Sequence, residues 1–474
     1  RSTAAESASA SFAADGGNVT YEIMDGKTVK ITGCDNDVTA VVIPDTIENL
    51  PVTEIGDGAF YEKGKLVSVK LPVGVQTISD RAFYACKKLA EINLADCSAL
   101  QTIGYNAFND TGLTAVKLPG NVSSIGECAF TGGLENSLKQ ADLSACLNLT
   151  KIPYALFYYN SQLTEVKLPA SITVIEREAF AFCTALEKVD LSYCLSLTEI
   201  QEKAFYGDSA LTQIALSPAL VTIGKEAFNS CTALTGLDFT ACTSLKTIEE
   251  FAFNRTAVTS LSFPASLETL ERGAFGECEK LTAVTWPQNS SLTVLGGFNE
   301  CTALPVSVFN EGVSLPNVTE IGELAFENCT FEEVTIPSNI REIGVYAFGE
   351  NGEEYESKLK KLTLMPGVEL IGESAFCGCP IEGTLNIPGT VKEVGCYAFG
   401  ATTITGLNIA LGVEKIDGDA FSSCSGLEGK TVVLPETVSY VGRDAFDGID
   451  EEKPLTLEFR NRDVMFEEAP YYSG

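Results

Sequence analysis

Cysteine and carboxylate side chains are the groups in this sequence that could do chemistry. The chain holds 16 cysteines, 64 acidic and 32 basic residues, and it has no histidine. Histidine is the commonest general base, the usual partner of a nucleophilic serine or cysteine, and a frequent zinc ligand. No glycine-rich loop followed by Lys-Ser or Lys-Thr is present to hold a phosphate. Carboxylate pairs and a serine–lysine pair stay open as catalytic arrangements, but so many acids make any pair uninformative, and we predict no enzyme and no cofactor.

Regular spacing organises the cysteines. Eight of them lie three residues after a recurring phenylalanine: Cys86, Cys183, Cys231, Cys278, Cys301, Cys329, Cys379 and Cys424. Four more recur every 48 or 49 residues: Cys97, Cys146, Cys194 and Cys242. If each phenylalanine marks one coil of a stack, cysteines two coils apart lie ~9–10 Å apart, which is too far for a disulfide. Only Cys278, Cys301 and Cys329 fall in consecutive coils, so most of the cysteines are interpreted as small buried side chains. Cys377 and Cys379 could bind a metal, but their spacing alone does not predict a metal site.

An Ile-Gly-x-x-Ala-Phe phrase repeats along almost the whole chain. Its phenylalanines recur at intervals of 22 to 28 residues: Phe60, Phe83, Phe108, Phe130, Phe157, Phe180, Phe205, Phe228, Phe253, Phe275, Phe298, Phe326, Phe348, Phe376, Phe399, Phe421 and Phe446. A period of this length is typical of solenoids, in which each repeat buries its apolar face only against its neighbours.

A second phrase, Leu-x-x-Val-x-Leu, lies between these phenylalanines and is usually closed by proline, as in Leu66 to Pro72. Its alternating β-formers predict a short strand with every second residue pointing inward. The sequence therefore predicts a β-rich leucine-rich-repeat solenoid of about 17 stacked coils of 22–28 residues. Parallel strands should line one face, and both ends should be capped.

The repeat pattern divides the chain into four predicted segments. Residues 1–17, rich in Ala and Ser, are expected to form a flexible lead-in, and residues 18–37 a hairpin cap that turns at Asp25-Gly26. The solenoid is expected over residues 38–459, and residues 460–474 are expected to form a C-terminal cap or tail. An acidic insertion from Gly349 to Lys358 interrupts the repeat and is expected to be a loop.

The overall charge limits the classes of partner. A formal net charge of −32 disfavours nucleic acid and anionic membranes, which bind through Lys and Arg. No apolar run approaches the ~18–20 residues needed to cross a bilayer. The chain begins with Arg1 and has no signal-peptide core, so we expect a processed or trimmed segment with any export signal and anchor lying outside it.

The residue between Val and Leu of the strand phrase should point outward, and we call this row of residues the strand face. In the first coils it reads Lys70, Asn93, Lys117, Asp142, Lys167, Asp190, Ala215 and Asp238. Further along it reads Ser262, Thr285, Thr335, Thr363, Asn386 and Asn408. The alternation of lysine with acid or amide is either a self-neutralising ladder or a binding face for a protein or glycan. A separate group, Tyr154, Tyr158 and Tyr159, either packs internally or forms an aromatic patch.

The phrases resemble the treponemal-type, BspA-like leucine-rich repeat proteins. The matching pattern is Leu-x-x-Val-x-Leu-Pro-x-x-Val-x-x-Ile-Gly-x-x-Ala-Phe-x-x-Cys, and it covers roughly residues 38–459. The resemblance implies a surface or secreted bacterial protein, since some members are similar to adhesins that bind host matrix proteins. It transfers no ligand and no binding residue, because the family motif consists of core positions.

These observations together predict a non-catalytic, extracellular or cell-surface bacterial protein. It is expected to adhere to host or community macromolecules as a monomer, through the strand face or an inserted loop. The candidate binding residues are Lys70, Asn93, Lys117, Asp142, Lys167, Asp190 and Asp238. Two alternatives stay open, namely a rigid spacer in a larger surface protein and an accessory substrate-binding region of a larger enzyme.

Overall fold

The computed structural model describes residues 10–133, 138–309, 315–350, 357–449 and 452–467. The chain is a parallel β-solenoid of about 17 turns with almost no helix, as the repeat predicts. It divides into two compact units, Arg1–Gly236 and Leu237–Gly474. The helices of the described residues are the short 3₁₀ segments Leu94–Asp96, Val306–Val308 and Ser425–Leu427. Over these same residues, none is long and apolar enough to span a bilayer.

Each coil of the first unit contributes two short strands. The strands of the Leu-x-x-Val-x-Leu phrase, which we call face strands, are Ala40–Val42, Ser68–Lys70, Glu91–Ile92, Ala115–Lys117, Gln140–Asp142, Glu165–Lys167, Lys188–Asp190 and Gln213–Ala215. The strands just before each Ala-Phe turn, which we call second strands, are Leu50–Ile55, Thr77–Ile78, Thr102–Ile103, Ser124–Ile125, Lys151–Ile152, Val174–Ile175, Glu199–Ile200 and Thr222–Ile223. Neighbouring strands pair in parallel, for example Thr77–Ile78 with Thr102–Ile103. The first unit also contains three N-terminal strands and the strand Thr46–Ile47, which pairs antiparallel with the start of Leu50–Ile55.

The second unit repeats this plan. Its face strands are Ser260–Ser262, Ala283–Thr285, Glu333–Ile336, Lys361–Leu364, Thr384–Ile387, Gly406–Ile409, Thr431–Leu434 and Thr456–Phe459. Its second strands are Thr247–Ile248, Thr269–Leu270, Val294–Leu295, Glu320–Ile321, Glu342–Ile343, Leu370–Ile371, Glu393–Val394, Lys415–Ile416, Tyr440–Val441 and Met465–Phe466. Face strands pair in parallel and in register, so side chains of one kind form rows along the unit.

The N-terminal segment is more ordered than the sequence predicts. Residues 10–17 are not a flexible lead-in, because Ala10–Ala14 is a strand that pairs antiparallel with Gly17–Met24. Gly17–Met24 forms a hairpin with Thr28–Cys34, and Thr28–Cys34 pairs in parallel with Leu50–Ile55. The hairpin therefore extends the sheet of second strands. Residues 1–9 lie outside the described residues.

The C-terminal end also differs from the expected boundary at residue 459. Met465–Phe466 pairs with Tyr440–Val441 and continues the sheet of second strands. Phe459, Met465 and Phe466 are 38%, 65% and 57% exposed. The strand backbone therefore covers the preceding second strand, while these three apolar side chains stay exposed to solvent. Residues 468–474 of the expected cap or tail lie outside the described residues.

The repeat phenylalanines form the centre of the core in each unit. They stack ring on ring from coil to coil, as in Phe60 on Phe83 at 5.0 Å and 3°, and Phe376 on Phe399 at 5.3 Å and 5°. Such near-parallel stacking is favourable when the rings are offset. Phe60 and Phe83 are fully buried, so they supply much of the apolar surface that each coil loses to its neighbour.

The Ala-Phe turn also links coils through its backbone. Gly58, Phe60 and Glu62 each donate an N–H to a carbonyl of the next coil, at 2.9, 2.7 and 2.8 Å. The two outer residues adopt positive φ angles, +59° for Gly58 and +54° for Glu62. Alternating right- and left-handed residues direct every second N–H along the stack. The turn thus behaves as a third hydrogen-bonded wall, although it is not a strand.

The cysteines three residues after the phenylalanines complete this corner. Their thiols donate to the phenylalanine carbonyl of the preceding coil, as Cys86 does to Phe60 at 2.9 Å and Cys231 to Phe205 at 3.1 Å. Burial raises the pKa of Cys86 to about 12, so the thiol keeps its proton and stays a donor. All 16 cysteines lie among the described residues, and they are thiols rather than disulfides. The interpretation as buried side chains is confirmed for the eight in this column, but they are hydrogen-bond donors as well as apolar groups.

We expect Cys231→Ala to destabilise the first unit by about 0.5–1.5 kcal/mol, because the buried carbonyl of Phe205 loses the thiol donor and keeps only the longer bond from the amide of Asp208 at 3.4 Å. Cys396→Ala should cost less than about 0.5 kcal/mol, since Cys396 is half-buried and lies outside this column. Calorimetry of the two variants compares their melting temperatures. Equal losses would show that the thiol bond contributes nothing.

Asp208 stands at a cysteine position of this column and is fully buried. Its Oδ1 accepts the amide of Cys183 at 2.8 Å, and its Oδ2 has no hydrogen-bond partner among the described residues. Burial raises the pKa of this carboxyl well above its usual value. Asn160, at the same position of an earlier coil, donates to the carbonyls of Phe130 and Phe157. A protonated Asp208 can act as a donor in the same way.

Asp208 should make stability fall as pH rises. The folded chain retains a proton that the unfolded chain releases above pH ~4, so the free energy of unfolding decreases from there through the raised folded pKa. We expect Asp208→Asn to remove this dependence and to melt higher than the wild type at pH 8, with a smaller gap at pH 5. The exposed Asp190→Asn is the control for losing a carboxylate. A gap that stays constant between the two pH values would contradict the assignment.

Candidate binding site

All seven candidate residues lie at the surface on the strand face. Lys70, Lys117, Lys167, Asp190 and Asp238 are exposed. Asn93 and Asp142, which lie in the coils between the lysines, are half-buried. The alternation of inward and outward side chains predicted from the phrase is therefore present.

The structure brings four of the seven together. Lys117, Asp142 and Lys167 are register partners on three successive strands, and Lys117 Nζ lies 3.9 Å from Asp142 Oδ2. With Asn93 they line a shallow depression of about 380 Å³. Ala95 and Ala115 line the same depression, and their small side chains leave it open. Lys70 and Asp190 lie outside the depression, and Asp238 belongs to the second unit.

The acids of the strand face also shape the turns that follow their strands. Asp142 Oδ1 accepts the amide and hydroxyl of Ser144 at 3.1 and 2.6 Å, and Asp190 does the same with Ser192. Asp238 accepts the amide of Thr240 at 2.8 Å. Partial burial raises the pKa of Asp142, but the hydrogen bonds from Ser144 and the nearby charges of Lys117 and Lys167 lower it by more. The pKa of Asp142 therefore lies below its usual value. These are Asx turns, so the acids have a structural role that alternation alone did not reveal.

Asn93 joins two coils. Its side-chain oxygen accepts the amide of Leu71 at 2.7 Å, and its amide donates to the carbonyl of Leu71 at 3.1 Å. It replaces a backbone pair where the face strand Glu91–Ile92 is short. Asn93 is therefore a positioning residue of the depression.

Exposed apolar side chains in the turns after the face strands were not identified from the sequence. Leu147 and Leu195 are 63% and 68% exposed, and Tyr193 is 41% exposed. The turns stack, since Ser171 in the intervening coil donates to the carbonyl of Leu149 at 2.6 Å. Equivalent positions of the coils before and after this pair hold polar residues, Ser98 and Thr243. That contrast is visible in the aligned repeats and is the signal that could have identified them.

The strand face of the second unit is uncharged over much of its length. Thr335 pairs with Thr363, and the Asn408 amide donates to the Asn386 carbonyl at 2.8 Å. A second depression of about 390 Å³ lies near its C-terminal coils. It is lined by Asn408, Leu411, Thr431, Val433, Glu436 and Arg460.

The remaining candidate chemistry is dispersed. Cys379 donates its thiol inward to the carbonyl of Phe348 at 3.2 Å, whereas the neighbouring Cys377 is half-buried. Across the part of the chain that the structure describes, no three Cys, Asp or Glu side chains are grouped to hold a metal ion. Residues 351–356 of the acidic insertion lie outside the described residues. The features of the described surface that could bind a partner are therefore its depressions, its charged residues and its exposed apolar side chains.

Solved structures similar to this chain are leucine-rich repeat proteins. A leucine-rich repeat protein from Bacteroides ovatus is 20% identical with a TM-score of 0.50, over 93% of this chain and 98% of its own. A leucine-rich cell surface protein from Faecalibacterium prausnitzii is 18% identical over 95% of each chain, with a TM-score of 0.33. The T. pallidum leucine-rich repeat protein is 26% identical over 48% of this chain and 91% of its own, with a TM-score of 0.34. At these identities the likeness shows the fold alone.

The family is shown by the repeat itself. No curated protein matches the chain. The model of the BspA type leucine-rich repeat region matches residues 53–187, 150–282, 237–353 and 353–458. These overlapping matches extend over most of the chain, and such repeat proteins are non-enzymatic and generally mediate protein interactions. The chain therefore belongs to the BspA-type leucine-rich repeat family.

Proposed function

We propose that this chain is a non-catalytic binding protein of a bacterial cell surface, and that its first unit holds a protein partner on the strand face. The observation that carries the proposal is the presence of two features on neighbouring coils. A charged depression contains Lys117, Asp142 and Lys167, and the strand of Asp142 leads into the turn that exposes Leu147. Leu195 is exposed at the equivalent turn two coils further on, just outside the depression. Protein interfaces combine apolar anchors with a polar surround in this way.

The exposed leucines support a partner with an apolar surface. A leucine that is mostly solvated contributes little to folding but gains ~1.5–3 kcal/mol when a partner buries it fully. Ser98 and Thr243 show that the fold accepts polar residues at the same position. Leu147 and Leu195 are therefore dispensable for the coil and available for a partner.

The depression is charge-balanced and favours a partner that presents charges of both signs. Lys117 and Lys167 are 67% and 57% exposed at their side chains, and they pair with Asp142 at 3.9 Å and with Glu165 at 3.0 Å. Charge at the rim of an interface acts mainly on the association rate and on specificity. Binding should therefore weaken as salt rises, because exposed charges are screened over ~8–10 Å at physiological salt.

A cell-surface location has support from the family. The protein from Faecalibacterium prausnitzii that is similar to this chain is a leucine-rich cell surface protein. An exported solenoid can present a long polar face to macromolecules outside the cell. Surface labelling of intact cells with an antibody against this chain tests the location.

The ion pair between Lys117 and Asp142 on the strand face should contribute little to stability. Removing Asp142 should lower the free energy of unfolding more than removing Lys117 does. We expect Lys117→Ala to change the free energy of unfolding by less than about 1 kcal/mol, because its ion pair is exposed. Asp142→Ala should cost about 1–2 kcal/mol, since it also removes the two bonds to Ser144. Melting temperatures of the two variants make the comparison. A lysine variant as damaged as the aspartate variant would show that the ladder is a folding device.

Binding of the purified chain to a panel of matrix proteins, plasma proteins and mucins, followed by surface plasmon resonance across a salt series, tests the proposed function. We expect a saturable protein ligand whose affinity falls about tenfold with Lys117→Glu. Leu195→Thr, which introduces the residue found at Thr243, should lower affinity similarly without lowering the melting temperature.

The matched control is Lys246→Glu, a charge reversal at an exposed residue of the second unit that pairs with Glu268 at 2.9 Å. It should leave binding unchanged. If a ligand binds Lys117→Glu, Leu195→Thr and Lys246→Glu equally well, its site does not lie on the strand face of the first unit. Absence of any ligand would favour a spacer role instead.

A further inference from the structure

Three consecutive coils of the first unit carry an aromatic cluster on the Ala-Phe turn, on a different side of the coil from the strand face. Tyr158, Tyr159, Phe182 and Tyr206 form it, and we call it the aromatic ridge. Tyr159 lies 4.7 Å from both Tyr158 and Phe182, and Phe182 lies 5.4 Å from Tyr206, between ring centroids. Of the group Tyr154, Tyr158 and Tyr159 considered in the sequence, Tyr158 and Tyr159 belong to this cluster together with Phe182 and Tyr206. Tyr154 lies beside it and bonds to Glu178.

The backbone conformation argues that these rings are not there for folding. Tyr159 and Phe182 adopt φ angles of +59° and +64°, which bulky side chains seldom adopt. Both stand two residues after a repeat phenylalanine, where nearby coils have Ala85, Asp110 and Ser230. The turn thus forms readily with small or polar residues. The same left-handed conformation occurs at Ala85, Asp110 and Ser230, so the turn imposes it on these coils as well and does not require an aromatic ring there.

The neighbouring coils leave the ridge open. The equivalent positions on either side are Gly132 and Gly207. A Cβ added to Gly207 would lie 2.9 Å from the Phe182 ring, so the ring lies across this glycine. Tyr159 is 49% exposed, and the other three rings are half-buried. The ridge therefore presents ring surface to solvent along three coils.

Polar groups at one end of the ridge can bind hydroxyls. Glu178 Oε2 lies 3.4 Å from Tyr154 Oη, and Glu178 Oε1 accepts from Arg177 at 2.9 and 3.1 Å. Burial, together with Tyr159 and Glu178, raises the pKa of Tyr158. Its hydroxyl therefore stays protonated at neutral pH and can donate. The site thus combines ring faces with a carboxylate, a guanidinium and a phenol.

We propose that the aromatic ridge binds a neutral polysaccharide, whose sugar rings stack on Tyr159 and Phe182 while hydroxyls bond to Glu178 and Tyr158. The negative faces of aromatic rings attract the C–H face of a sugar ring. The excess of acids in the chain, with Glu178 at the site, disfavours an anionic glycan. Four partly covered rings offer at most roughly 400 Å². That is about half of what one side of a stable protein interface needs, which favours a chain of sugars over a protein.

Affinity electrophoresis in gels containing laminarin, hydroxyethylcellulose, xyloglucan, mannan or soluble starch tests the proposal with the whole chain. We expect retardation by at least one of these neutral polysaccharides, and a dissociation constant raised about tenfold by Tyr159→Asn. Asn tolerates a positive φ, so this variant should melt no lower than the wild type. Phe182→Asn should weaken retardation in the same way.

The matched control is Tyr61→Asn. Tyr61 is 40% exposed and stacks on Tyr84 at 5.1 Å, on the same kind of turn but away from the ridge. It should leave retardation unchanged. Retardation should also persist between low and high salt, whereas binding at the charged strand face should not, so the two proposals fail separately.

Three results would overturn the assignment. The first is that none of the five gels retards the wild-type chain. The second is that Tyr159→Asn and Phe182→Asn leave retardation unchanged. The third is that Tyr61→Asn reduces retardation as much as the two ridge variants do. A melting temperature lowered by Tyr159→Asn without any change in retardation would instead assign the ridge to folding. Loss of a protein ligand with Tyr159→Asn, and no glycan binding, would replace the glycan by a protein partner.

Discussion

The hydrogen bonds from each Ala-Phe turn to the next coil are the constraint on which the rest of the structure depends. A coil of 22 to 28 residues cannot pair the N–H groups of this turn within itself, and buried amides without partners are costly. Phe60 and the residues two positions away on either side therefore donate to the following coil. Once these bonds fix the stacking distance and register, the rings of successive phenylalanines fall on one another at about 5 Å. The thiol column then completes the same corner by donating to phenylalanine carbonyls.

This constraint separates positions that must stay alike from positions that can vary. Core residues such as Phe60 and Ala82 repeat because each contacts the same atoms in the neighbouring coils. Most outward positions of the strand and of the turns contact solvent and the equivalent side chain of the next coil, which is at most a weak interaction. Asn93 and Asp142 differ in that they also bond to backbone amides. Leu147 and Tyr159 are exposed apolar or aromatic residues at outward positions where other coils have small or polar residues. Departures from the local consensus at surface positions are therefore where a binding function is to be sought in this solenoid.

The sequence predicts the stack and its period well, because apolar spacing is a direct record of which side chains face inward. It also predicts the outward row from Lys70 to Asp190, since strand alternation has a period of two. It does not predict the left-handed residues of the turn, because Arg81 and Lys203 occupy those positions and neither favours a positive φ. Tertiary hydrogen bonds between coils decide their conformation. The strand Ala10–Ala14 was missed for a similar reason, since its partner Gly17–Met24 rather than its own composition orders it.

Some of the proposed binding residues could be found from the sequence, whereas others come together only through the fold. Lys117, Asp142 and Lys167 were found because strand register turns a sequence interval into a spatial neighbour. The aromatic ridge needed the fold, because Tyr159 and Phe182 approach each other only through coil stacking and their left-handed backbone. The two surfaces lie on different sides of the coil and use different physics. Screening by salt weakens the charged depression, whereas ring stacking is insensitive to it. One rigid coil geometry can therefore present two independent sites of different chemistry, and neither site requires the core to change.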